Sequence, residues 1–61
     1  MTEYSVGDII VGFKTTYVIV KIIRASNKGN IFVLQDTQTL DTIHSYELEI
    51  RAWGKHLANK S

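Results

Sequence analysis

The stretch LDTIHSYELEIRAW, residues 40–53, admits two partitions. Ile43, then Leu48, Ile50 and Ala52, marks a strand, one turn and a second strand, because alternate residues of a strand share a face. Tyr46, Ile50, Trp53 and Leu57 fall instead on one face of a helix, recurring at intervals of three and four. Ser45 suits the helix N-cap, and YELEIRAW holds no strong helix breaker before Gly54. Against the helix, Leu48 and Ala52 lie off its apolar stripe. The upstream chain also reads as a strand meander whose open edge needs a cover. The strand partition is therefore preferred: a turn at 45–48, a strand at 48–53, and a tail that is frayed or briefly helical.

The upstream strands are marked by the crowding of Val, Ile, Thr, Tyr and Phe in the first three quarters of the chain. Gly7-Asp8 launches a first strand over 8–13, in which Ile9, Val11 and Phe13 alternate against Asp8, Ile10 and Gly12. Lys14-Thr15 turns the chain into a long second strand over 16–25. That strand is apolar on both faces except at Lys21 and Arg24, as expected of a strand bent across a barrel corner or covered by a partner. Ser26 to Asn30 form a turn in which Gly29 supplies a positive φ. A third strand follows at 31–36. The Asp36 side chain can bond amides two residues on, making 36–39 a second turn before a short fourth strand at 40–44.

This order of elements resembles the SH3-like small barrels of the KOW and Tudor type. The matching residues are VGDIIV at 6–11, LQD at 34–36 and TIHSYELEI at 42–50, so the likeness spans residues 6–53. It implies an all-β, five-stranded, strongly bent antiparallel barrel with a short C-terminal tail, one domain over 1–61 with a basic tail at 54–61. It bears on fold and not on function. Length, the Gly-Asp opening and His44 followed by Ser-Tyr-Glu-Leu are also similar to the carbon-storage regulators, small dimeric RNA-binding proteins. Those carry a basic first strand and an Arg after the His, whereas here the N-terminus is acidic and Ser45 takes that place.

Composition narrows the classes further. The chain has 61 residues, no cysteine and two histidines. Disulfides and thiolate metal sites are thus excluded, and His44 and His56 are too few for a structural zinc site. A chain of this length buries only about 60% of its unfolded surface. An efficient core or self-association, a homodimer being the simplest, must then carry stability. MTEYSVGD is no signal peptide, the Asn59 sequon is idle without one, and TYVIVKII at 16–23 is too short and too interrupted to span a membrane. A cytoplasmic protein, complete as a small gene product, is expected.

Net charge is only +1, but charges are sorted along the chain. Lys14, Lys21, Arg24 and Lys28 occupy 9–35 without an acid; Asp36, Asp41, Glu47 and Glu49 occupy 36–50 without Lys or Arg. Such sorting predicts a positive and a negative side. Catalysis is not expected. His44 and Ser45 would point to opposite faces if both lay in the strand, and so make no dyad. Ser45 reads better as a turn or cap residue and His44 as a half-exposed strand residue, and a small barrel is filled by its own side chains. Gly7 and Gly12 are not spaced as a phosphate loop. No cofactor or metal is implied.

Two kinds of binding surface remain. An exposed Trp53 beside Arg51 has the composition of a protein-binding hot spot, extended by Tyr46, Tyr17 and Ile19, with Ile10 and Ile23, if the opposite faces of strands one and two are open. A methyl-lysine cage would need three or four converging aromatics; two or three of them are expected in the core instead. The leading expectation is a non-catalytic module that binds another protein, an accessory regulator or inhibitor of the kind carried by bacteria, phages or mobile elements. The alternative is nucleic-acid binding, with Lys14, Lys21, Arg24 and Lys28 tracking phosphates and Tyr17 or Phe32 stacking on a base. A third is an oligomer holding a small phosphorylated ligand between copies.

Overall fold

A computed structural model describes residues 4–25 and 29–57. Its strands are β1 (Ile9–Val11), β2 (Thr16–Ala25), β3 (Gly29–Asp36), β4 (Thr42–Tyr46) and β5 (Lys55–Leu57), with one helix, α1 (Glu47–Trp53), between the last two. The strands form one antiparallel sheet in the order β4-β3-β2-β1-β5. Among the described residues no ladder joins β4 to β5, so the sheet is not closed into the expected barrel. The helix lies against β3, β4 and β5 in place of that closure.

The contested stretch is therefore a helix, and the strand expected at 48–53 is absent. Local bonds explain its start. The Glu49 carboxylate accepts from the Tyr46 amide at 3.1 Å and from the Ser45 hydroxyl at 3.3 Å, occupying donors that the first turn leaves free. Glu47 and Glu49 sit at the positive end of the helix dipole, and Glu47 pairs with Arg51 one turn on at 2.6 Å. Ile50 is fully buried while Leu48 is 75% exposed, the reverse of what a strand shared by both would require. A closing strand does exist, but it is β5, at the edge of the sheet opposite β4: Ile9 pairs with Leu57, Ile10 with His56 and Val11 with Lys55. Part of the presumed tail is thus the closing strand.

The second strand has the expected bounds, and its two apolar faces have a local cause. Ile19 pairs with Leu34 and Lys21 with Val33, leaving Val20 as an extra residue, a β-bulge that bends the strand. Before the bulge Tyr17 and Ile19 face inward; after it the inward residue is Ile22, opposite Phe32. The inward phase of β1 is reversed from expectation. Asp8 and Ile10 are buried, Ile9 and Val11 are only half-buried, and Phe13 is 89% exposed. The core is Ile10, Ile19, Phe32, Leu34 and Ile50, flanked by Tyr4, Tyr17, Ile22 and Trp53.

Turn chemistry follows the sequence more closely. Gly29 adopts φ 82°. Asp36 accepts from the amides of Gln38 at 2.7 Å and Thr39 at 3.2 Å, and these bonds hold its carboxyl below the usual carboxylate range. Leu40 has φ 67° and donates its amide to the Asp36 carbonyl, so β4 starts at Thr42 and not at Leu40.

Gly54 ends the helix where no side chain fits. A Cβ there would lie 2.5 Å from Ile10 Cγ2 and 3.2 Å from the Ile50 carbonyl. Both neighbours are in the core, so neither can swing away. Gly54→Ala is expected to destabilise by about 1–3 kcal/mol through overpacking. Urea unfolding measures this, and a midpoint equal to wild type would show that the helix–β5 junction yields freely.

Candidate binding groove

On the inner side of the sheet, an open groove of about 430 Å³ lies between the β1–β2 turn and the β4–α1 corner. The turn contributes Gly12, Phe13, Lys14 and Thr15; β2 contributes Tyr17, β4 Ile43 and Ser45, and the helix Trp53. Trp53 meets Tyr17 edge to face, with ring centroids 5.7 Å apart. Besides the core it packs against, it lies close to backbone: a Cβ at Gly12 would stand 3.1 Å from Trp53 Cζ3. The turn itself is closed by the Gly12 amide donating to the Thr15 carbonyl at 2.9 Å. The indole is thus wedged between a ring and a glycine, which holds one wall in place. Phe13 at the tip has no such packing and stands in solvent.

The structure brings together only part of each expected site. Tyr17 and Trp53 share the groove, but Trp53 is half-buried and not an exposed anchor. Arg51, two residues away on a helix, points to another side and pairs with Glu47. Tyr46 lies apart, beside a smaller recess of about 120 Å³ with Ile31, His44, Ser45 and Glu49. Ile19, expected on an open face, is fully buried with Ile10, because the bulge and the buried Asp8 set the inward phase the other way. Neither can belong to a surface patch. His44 is exposed and Ser45 buried, as alternation requires.

The expected cationic track is dispersed. Lys14 borders the groove; Lys21 lies on the outer face opposite Val33; Arg24 is near the far end of β2, opposite Asn30. A strand of ten residues spans roughly 30 Å, so these charges are set along its length and on both faces. Lys28 lies outside the described residues, and Phe32, expected as a stacking ring, is buried in the core. Among the described residues no three His, Cys, Asp or Glu side chains gather as metal ligands, and no helix is long and apolar enough to cross a membrane.

Beyond the other end of β1 is a buried pair with no signature in the sequence. Asp8 Oδ2 lies 2.7 Å from His56 Nε2 and accepts from the Ser5 amide at 2.9 Å. The Tyr4 ring covers the imidazole at 4.3 Å and continues onto Phe32 at 5.0 Å. The partners are separated by 48 positions, and only the β1–β5 pairing brings them together.

No family model matches the chain, nor does any curated protein or solved structure. The functional reading therefore rests on the groove alone.

Proposed function

We propose that the chain is a non-catalytic binding module that holds a segment of a partner protein in this groove, acting as an accessory regulator or inhibitor. The observation that carries this is Phe13. A phenylalanine 89% exposed gains nothing for the fold, yet it stands at the rim of an apolar groove already walled by Tyr17, Trp53 and Ile43. Aromatic side chains around a rigid recess are the usual anchors of protein recognition. The strand order, with a single short helix before a closing strand, supports an SH3-like reading of the fold, and the dispersal of Lys14, Lys21 and Arg24 favours protein over nucleic acid.

Panning a displayed library of random short peptides on the immobilised chain tests the proposal. Enriched peptides are expected to change Trp53 emission in a saturable titration. Phe13→Ala should weaken them about ten-fold, the scale of one interface anchor, with the unfolding midpoint unchanged because Phe13 packs on nothing in the core. Failure of any peptide to enrich, or equal binding by Phe13→Ala, overturns the groove assignment. Oligonucleotides that bind instead, with affinity falling about ten-fold or more between 50 and 200 mM salt, would reassign the protein to nucleic acid.

A further inference from the structure

Resting on that reading, we infer the chemistry of the occupant: a bulky apolar side chain with a carboxylate one or two residues away in the same segment. The groove's walls are mainly carbon, and Lys14 carries the single formal charge among the residues that line it. Lys14 is exposed and makes no ion pair among the described residues, whereas the helix's own cation, Arg51, is already held by Glu47. The acid nearest this region in the ladder, Asp36 opposite Tyr17, turns Oδ1 to the amides of Gln38 and Thr39 and makes no ion pair with Lys14. Ser45, the groove's buried hydroxyl, donates to Glu49. What remains for a guest is a mainly apolar recess with the Thr15 hydroxyl buried and unpartnered in its lining and, at its lip, an ammonium that makes no ion pair among the described residues.

That combination discriminates. A cationic guest, including a methylated lysine between the aromatic rings, would meet Lys14 as a like charge. An uncharged apolar guest would leave the ammonium without a partner but lose little, since the lysine is in water. A carboxylate beside the anchor is attracted, and the flexible lysine stem lets its three donors follow the chain over one or two residues, about 3.3 Å each. The lysine thus sets preference and approach while the apolar recess supplies most of the affinity.

The test is a charge reversal at an exposed residue, so folding is not at stake; matched unfolding midpoints for wild type and Lys14→Glu confirm it. The same random-peptide library is panned on both. Wild type is expected to enrich peptides with Asp or Glu within two positions of an aromatic or large aliphatic residue. Lys14→Glu is expected to keep the apolar anchor, exchange the acid for Lys or Arg, and bind the wild-type peptides at least ten-fold more weakly. Peptides that lose affinity in Phe13→Ala yet bind Lys14→Glu within two-fold of wild type would overturn the carboxylate inference and leave the groove standing. Peptides indifferent to both substitutions would overturn both.

Discussion

Asp8→Ala is expected to cost about 3–5 kcal/mol, the loss of two hydrogen bonds to a buried carboxylate at about 1.5–3 kcal/mol each. The pair is enclosed: the side chains of Asp8 and His56 are 5% and 13% exposed. Alanine leaves the His56 ring and the Ser5 amide facing a gap that water reaches poorly, under the cover of Tyr4. A domain of this size rarely has more than about 3–5 kcal/mol in total. The variant should therefore be largely unfolded at room temperature, and circular dichroism in a urea series measures it. His56→Ala should cost less, because the carboxylate left behind keeps the Ser5 amide. The double variant separates pair from packing: its destabilisation should fall short of the sum of the singles by at least about 1 kcal/mol. An Asp8→Ala midpoint equal to wild type would mean that the pair does not hold β5 to the sheet.

Ile50→Ala is expected to destabilise by about 2–5 kcal/mol, and Leu48→Ala by less than about 0.5 kcal/mol. The contrast follows from the helix. Ile50 is fully buried among Ile10, Ile19, Phe32 and Leu34, at the place where α1 lies over the sheet, and its removal opens a cavity there. Leu48, two residues earlier on the same helix, is 75% exposed and adds nothing to the core. A strand would place both residues on one face and make the two losses comparable. Equal, large destabilisation by both substitutions would therefore refute the helix, and with it the position of Trp53 beside Gly12.

The same two residues show why the sequence favours a strand where the structure has a helix. The helical stripe of Ile50 and Trp53 was visible, as were Ser45, Glu47 and Glu49, but so was a strand pattern of Leu48, Ile50 and Ala52. What favours the strand is that the open edge of the meander needs a cover. A closing strand does exist, but it is KHL at 55–57, paired with β1 at the edge of the sheet opposite β4, a run too short and too polar to register as a strand. In β1, alternation sets Asp8 and Ile10 on one face, and a carboxylate on that face argues for its exposure. Nothing local reveals that a histidine 48 positions away makes its burial tolerable. The same reversal exposed the supposed patch residue Ile19 as core and freed Phe13 for the groove rim.

What the sequence determined by itself lies within short range: the bounds of β2, the positive φ of Gly29, the Asp36 cap, and antiparallel β as the dominant structure. Each depends on a residue's own φ, or on bonds to neighbours a few positions away. Only the tertiary structure decided the rest. Whether ELEIRAW is helix or strand, which face of β1 is inside, and which aromatics border a groove all depend on contacts between residues far apart in the chain. Those contacts follow from β5 docking on β1 and Ile50 filling the sheet's inner side, burial that outweighs the small propensity differences within any short window.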